Sequence, residues 1–178
     1  MQAKLITTGG TDFVHLFGCG SGGTADAQIG TLIGEAEKAL AAQGMALDNA
    51  MLHRIFAADR ESREGIYETR ARLLSGTRRT ASSSFIAPAK LVPGARIALE
   101  MIAFRPKDAK SRRIVEFDPP RRYAHYVIQD RWMFLSGMAA RRPIGRASPR
   151  SRSSWSGDTA ASAGCASGWP MPFRLPGG

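Results

Sequence analysis

Residues 83–104, SSFIAPAKLVPGARIALEMIAF, decide how the rest of the chain is interpreted. We predict two strands joined by a turn at Pro93-Gly94, because proline and glycine supply the backbone angles of tight turns. The second strand alternates between two sets of residues: Ile97, Leu99 and Met101 on one face, and Ala98, Glu100 and Ile102 on the other. A single acid among apolar residues indicates a sheet with one face on a core and the other partly open.

The segments upstream alternate between strand and helix patterns. Residues 13–19 and 51–58 are predicted to be strands, because both are short and rich in β-branched, aromatic and other apolar residues. Between them, apolar residues recur at steps of three and four. This segment begins at Thr24, a good N-cap, and ends near Gly44, a residue type that commonly follows the last turn of a helix. This spacing predicts a helix with one apolar face.

A second helix is predicted over residues 60–75, with Asp59 as its N-cap. Arg63, Arg70 and Arg72 are expected to form its exposed basic face. The order of elements favours an α+β fold, a two-layer sandwich in which a mixed sheet carries two helices on one face. Since the chain is too small to bury both faces of the sheet, we expect it to oligomerise.

Composition narrows the class of protein. The 178 residues carry a net charge of +10, but residues 1–110 hold 14 Lys and Arg against 11 Asp and Glu, and residues 111–178 hold 11 against 4. The basic excess therefore lies mainly at the back of the chain and says little about the folded part. No run approaches the ~18 apolar residues of a membrane span. Cys19 and Cys165 lie far apart, which favours a reducing compartment, the cytoplasm.

Residues 18–23, GCGSGG, leave two interpretations open. The loop resembles a phosphate-binding glycine loop, but it lacks the GxxxxGK[ST] pattern. The alternative is a plain strand-to-helix turn. His15, His53 and His125 form no metal-ligand spacing with one another or with the cysteines, so we expect no metal and no cofactor.

Several motifs resemble the Rid family, the YjgF-type reactive-intermediate deaminases that are also labelled L-PSP endoribonuclease-like. Cys19-Gly20 stands where this family has Ser-Gly after its early strand, and Ile66-Tyr67 is similar to its Asn-x-Tyr region. Residues 91–104, LVPGARIALEMIAF, resemble its closing Leu-Pro-Gly turn and Glu-x-Ile-Ala strand. The resemblance covers residues 12–105.

A second, shorter match lies downstream. In residues 114–140, Tyr123 stands where the family has Pro-Tyr, and the run from Leu135 to Met138 resembles its Ser-Gly strand end. The resemblance thus divides the chain into a complete Rid-like domain over 1–110 and the first two strands of a second copy over 111–140. Residues 141–178, rich in Arg, Ser, Gly and Pro, are expected to be a disordered or out-of-frame tail.

The resemblance implies a chorismate-mutase-like fold and a homotrimer with clefts between subunits. It also implies hydrolysis of reactive 2-imino acids or enamines to 2-oxo acids and ammonia. That chemistry needs a fixed cation for the substrate carboxylate. It also needs a carboxylate that activates water near the imine carbon.

The chain departs from the family at both groups. The family's carboxylate-binding Arg falls on Ser83 and its acid on Ala98. Glu100, on the same face, is the remaining candidate catalytic acid. Ser83 and Ser84 offer hydroxyls in the predicted pocket, and Arg78 or Arg79 is the candidate substitute cation, the alternative being two exposed loop arginines. The other residues of the pocket stand at positions that the resemblance implies: Cys19, Gly20, Tyr123, Ser136 and Gly137.

Three functions stay open at this point. The first is imine or enamine deamination, with a small carboxylate or imino acid as ligand. The second is a catalytically inactive Rid-fold module that binds a small carboxylate or acts in assembly. RNA binding or cleavage ranks last, because the folded part is only mildly basic and lacks aromatic stacking motifs. No membrane partner is expected.

Overall fold

The structure, a computed structural model, describes residues 1–137. The predicted tail over 141–178 lies outside the described residues, as does Met138. Five strands form the main sheet: β1 (Gln2–Thr8), β2 (Thr11–Cys19), β3 (Ala50–Ala57), β4 (Ala81–Ile86) and β5 (Ile97–Phe104). The helices are α1 (Ala25–Ala41), α2 (Arg60–Gly65) and α3 (Tyr67–Leu73). A second sheet contains β6 (Arg113–Val115), β7 (Tyr126–Gln129) and β8 (Trp132–Leu135).

The main sheet is mixed, with the strand order β1-β2-β5-β3-β4. Among the described strands of this sheet, β3 and β4 pair in parallel and the other neighbours are antiparallel. The α+β class with helices on one face of a mixed sheet is therefore confirmed. The sequence did not reveal β1, which joins β2 through Gly9-Gly10 with φ values of 55° and 70°, the positive angles that a two-residue hairpin turn requires.

The predicted pairing of the two strands in residues 83–104 is wrong. Both strands exist, but β3 lies between β4 and β5. Residues 87–96 are long enough to carry the chain past β3, and they include a short 3-10 turn at Pro88–Lys90. The Pro93-Gly94 turn thus lies in the connection that crosses β3 to join β4 to β5, and it does not close a hairpin.

Helix α1 forms where its pattern predicts it. The Thr24 hydroxyl accepts a hydrogen bond from the Ala27 N–H at 3.2 Å, which satisfies a free donor of the first turn. One stripe of the helix is buried against the sheet: Ile29, Leu32, Ile33, Ala36 and Leu40. This stripe packs with Val14, Leu16, Leu99 and Met101 in the larger of two hydrophobic clusters.

The second predicted helix is divided at Ile66 into α2 and α3. Asp59 caps α2 as expected, with its carboxylate accepting from the Ser62 N–H at 2.7 Å. The predicted basic face is wrong for Arg70, which is only 2% exposed. The break at Ile66 turns α3 so that Arg70 faces β4, where Ser84 accepts its hydrogen bond.

Residues 111–137 cover part of the sheet face opposite the helices. Val127, Trp132 and Phe134 join Phe13 and Phe104 in the second hydrophobic cluster. The Trp132 ring meets the Phe13 ring edge-on, with centroids 4.9 Å apart. Within the described residues, part of the cover that we expected from neighbouring subunits therefore comes from the same chain.

None of the described helices combines the length and the apolar character needed to cross a membrane.

Candidate functional site

Three side chains form a charged cluster on the sheet face opposite the helices. Glu100 of β5 is 2% exposed and lies between His15 of β2 and Arg54 of β3. Its Oε1 accepts from Arg54 Nη1 at 3.0 Å and lies 2.7 Å from His15 Nε2. Because the two partners are about a quarter exposed, at 25% for His15 and 26% for Arg54, the buried carboxylate connects to the surface through them.

The surroundings of Glu100 fix its charge. Burial raises the pKa of this carboxyl, but the hydrogen bond with His15 and the positive charge of Arg54 together outweigh that effect, so the pKa lies below its ordinary value of 4.5. Glu100 is therefore ionised at neutral pH. Its second oxygen, Oε2, is buried and has no hydrogen-bond partner among the described residues, so it keeps an acceptor site for a water or a ligand.

Ser83 continues the row of Glu100 and Arg54 on the next strand, since Glu100 pairs with Arg54 and Arg54 pairs with Ser83. The Gly137 N–H, just after β8, approaches the Ser83 hydroxyl oxygen at 3.0 Å. Ser136 binds the same stretch of β4, with its Oγ accepting from the Ser82 N–H at 2.8 Å. The structure thus brings together three residues of the predicted pocket: Ser83, Ser136 and Gly137.

Aromatic rings lie beside the charged cluster on the same face. Phe56 stacks on Phe85 with ring centroids 5.6 Å apart, and Phe17 lies 6.5 Å from Phe56. Phe85 is 46% exposed. A small ligand held at Arg54 would therefore find an apolar wall next to the charge.

The remaining residues of the predicted pocket lie elsewhere. Cys19 ends β2, and β5 and β3 separate that strand from Ser83. Arg79 donates to Glu116 Oε2 at 2.7 Å, so its charge is already paired. Tyr123 and Ser84 both contact Arg70 and belong to a different cluster from Ser83.

Gly20 has a packing role in the structure. A Cβ at this position would lie 2.3 Å from Gln28 Oε1. The Gln28 side chain accepts from the N–H groups of Arg96 and Ile97 and donates to the Gly22 carbonyl. The geometry of the glycine loop is that of a strand-to-helix turn clamped by one buried amide.

Sequence reasoning missed Arg54 and His15. Alternation shows which residues of one strand share a face, but it does not show which strands are neighbours. Only the placement of β5 between β2 and β3 puts His15 and Arg54 on either side of Glu100. The available signal was that β2 and β3 each carry a basic side chain, His15 and Arg54, among apolar residues.

No family model matches this chain, and no curated protein matches it. Solved structures do. A member of the YjgF/YER057c/UK114 family from Mycobacterium tuberculosis is 21% identical, with 58% of this chain and 100% of that chain covered and a TM-score of 0.49. A YjgF-family protein from Neisseria meningitidis is 16% identical, with coverage of 61% and 98% and a TM-score of 0.48. Yeast Mmf1 is 18% identical, with coverage of 51% and 78% and a TM-score of 0.47.

Proposed function

We propose that this chain is a Rid-like protein that hydrolyses a small 2-imino acid to a 2-oxo acid and ammonia at the cluster of His15, Glu100 and Arg54. The observation that supports it most is the Glu100–Arg54 pair, in one row with Ser83 on the open face. A cation and an acid are the two groups this chemistry needs. The positions that carry these groups in the family, Ser83 and Ala98, lack them here. Arg54 lies beside Ser83 on the next strand, and Glu100 lies two residues after Ala98.

Each member of the cluster has a role in this proposal. The Arg54 guanidinium gives one N–H to Glu100, and its remaining N–H groups bind the substrate carboxylate. Water adds its oxygen to the imine carbon, and its proton passes to the Glu100–His15 pair. The nitrogen then takes up two protons, the one held by this pair and the one from the added hydroxyl, and leaves as ammonia while the carbon–oxygen double bond forms. The apolar wall of Phe17, Phe56 and Phe85 receives the substrate side chain.

A second candidate function is carboxylate binding without turnover. It is supported by the geometry of Glu100, whose Oε1 is shared between Arg54 and His15. A carboxylate held in this way is a weaker base than a free one. An inactive module of this kind would keep the ligand site and release no ammonia.

Ammonia release from a freshly generated 2-imino acid, with semicarbazide as the competing trap, tests the first proposal. We expect Arg54→Gln to lower kcat/KM by about 100-fold, the effect of losing one charge-assisted contact of 2–3 kcal/mol. Arg60→Gln is the matched control, because Arg60 is exposed and pairs with Glu64 on α2. Saturable carboxylate binding without ammonia would favour the second function instead.

We also propose that the chain assembles as a homotrimer around its open face. Phe85 of the open face is 46% exposed, and Leu135 of the second sheet is 52% exposed. Exposed apolar side chains of this size favour contact with another surface. Light scattering of the purified chain measures the mass directly, and a monomer at all concentrations would contradict this part of the proposal.

Salt-sensitive RNA binding by residues 1–140 would instead support an RNA-related function.

A further inference from the structure

Arg70 of α3 is a buried cation without an anion. Its side chain is 2% exposed, and no carboxylate of the described residues lies within ion-pair distance of it. Burial lowers the pKa of the guanidinium, and the nearby charge of Arg122 acts in the same direction. A buried charge is normally paired, because removing it from water is costly.

Two tyrosine rings offset only part of this cost. The Arg70 Cζ lies 5.4 Å from the ring centre of Tyr67 and 5.5 Å from that of Tyr123. Such contacts stabilise the positive charge, but they do not satisfy the N–H donors. Nη1 donates to the Ser84 hydroxyl at 3.2 Å, whereas Nε has no hydrogen-bond partner among the described residues. The guanidinium therefore has an unused donor at Nε.

Next to Arg70 on this face of the sheet, Thr80 and Ser82 supply hydroxyls to the buried His53. His53 Nε2 lies 2.9 Å from the Ser82 hydroxyl, and Nδ1 lies 2.5 Å from the Thr80 hydroxyl. Burial, and then the charge of Arg70, hold the pKa of His53 well below 6.5. The imidazole is therefore neutral at neutral pH, and Arg70 is the charged member of the group.

An ion pair lies next to these residues at the surface. Arg122 Nη2 is 2.6 Å from Glu68 Oε1, and the side chains are 50% and 82% exposed. The Arg122 guanidinium also lies 5.3 Å from the Tyr67 ring centre. A second cation thus stands beside the Arg70 cluster, together with a carboxylate that competes for it.

We infer that Arg70, Ser84, Tyr67 and Tyr123 form a binding site for the oxyanion group of a small molecule, either a carboxylate or a phosphate. The unused Nε–H and the Ser84 hydroxyl provide donors, and the fork of a guanidinium matches both groups. This site is separate from the imine site, because Ser84 and Ser83 point to opposite faces of β4.

Titration of the full chain with acetate and with inorganic phosphate, followed by calorimetry in a low-chloride buffer, tests the site. We expect saturable binding of at least one anion, and the better of the two identifies the group. Arg70→Gln should weaken that binding at least about 10-fold, since it removes a charge-assisted contact. Arg60→Gln, which removes an equally charged but exposed side chain, should leave it unchanged.

Two surface variants test the inference if Arg70→Gln fails to fold. Glu68→Gln should tighten anion binding by about 3-fold, because it removes the competing carboxylate, and Arg122→Gln should weaken it by about 3-fold. Arg54→Gln should remove only the acetate binding that belongs to the imine site and leave the binding that Arg70→Gln weakens, so failure of the imine site and failure of this site are distinguishable. Absence of saturable binding by both anions, or equal affinity in wild type and in both surface variants, would overturn the inference.

Discussion

Glu100 is a buried carboxylate held between two basic side chains. Glu100→Gln keeps the shape of the side chain but leaves Arg54 and His15 without their shared carboxylate. We expect a loss of about 2–3 kcal/mol of unfolding free energy, because a partner of a buried ion pair is removed. Urea unfolding at pH 7 measures it. A variant as stable as wild type would show that the pair contributes nothing to the fold.

The same residue makes stability depend on pH. Because the pKa of Glu100 is lower in the folded state than its ordinary 4.5, its contribution is complete above pH 4.5. It is lost as the pH falls through the folded pKa. The difference in stability between wild type and Glu100→Gln should therefore shrink as the pH decreases below 4.5. A difference that stays constant from pH 7 to pH 3 would contradict this.

For single residues, the sequence predicts well which face of the sheet a side chain occupies and poorly which other side chains it contacts. Alternation correctly places Glu100 on the other face of β5 from Ile97, Leu99 and Met101, whose side chains are fully buried under the helices. It cannot supply the register that brings Arg54 beside Glu100. The burial of Arg70 also escaped prediction, because helical spacing alone does not show where a helix is divided.

The second sheet contacts β4 where Gly137 packs against Ser83. A Cβ on Gly137 would lie 2.6 Å from Ser83 Oγ and 3.1 Å from its Cβ. We expect Gly137→Ala to destabilise the docking of β6–β8 by about 1–3 kcal/mol through overpacking. Hydrogen exchange of the β7 and β8 amides measures this effect.

Ser83→Gly is the matched rescue of that variant. It removes the hydroxyl and the Cβ that the new methyl group meets, so the double variant should regain at least half of the lost protection. If Ser83→Gly gives no rescue, the contact between Gly137 and Ser83 does not hold the second sheet.

The turn between β2 and α1 depends on a single amide. Gln28 is 2% exposed, and its Oε1 accepts from Arg96 N at 2.8 Å and from Ile97 N at 3.1 Å. Gln28→Leu leaves two backbone donors unsatisfied, which should cost about 2–4 kcal/mol. Thermal unfolding measures the loss, and Gln43→Leu, at an exposed position, is the control.

Elements were predictable where the evidence for them is local. Helix α1 follows from its own cap and stripe, and β3 and β5 from their own composition. The hairpin between β4 and β5 was predicted wrongly, because strand order is a property of non-local contacts. A proline-glycine turn specifies a change in chain direction. Which strands become neighbours depends on contacts across the whole sheet.

For the whole molecule, the decisive question is whether residues 1–110 fold without residues 111–137. Removing the second sheet uncovers Phe13, Leu52 and Phe104, and it discards the buried rings of Trp132 and Phe134. Each lost ring costs on the order of 2–3 kcal/mol of apolar burial. We expect the chain that ends at residue 110 to bind a hydrophobic dye and to associate, whereas the chain that ends at residue 137 behaves as the full chain does. Dye binding and light scattering decide the matter, and a well-behaved monomer of residues 1–110 would contradict it.

The division of the chain into one complete copy and part of a second remains a prediction. The described residues show a five-stranded sheet with three helices, followed by a three-stranded sheet packed on its open face. The sequence predicted that other subunits would supply that cover, although the predicted pocket already placed Ser136 and Gly137 beside Ser83. The reason is physical: apolar alternation identifies a surface that must be buried, and it does not say by what.

The second sheet is joined covalently to the sheet that it covers, through the connection that follows Phe104. Its docking is therefore a unimolecular event, governed by an effective concentration in the millimolar range for a short linker. Dilution to nanomolar levels separates molecules that associate reversibly, but it cannot separate these two sheets. The protection of Phe13 and Trp132 from solvent should consequently be the same in a dilute sample and in a crowded one.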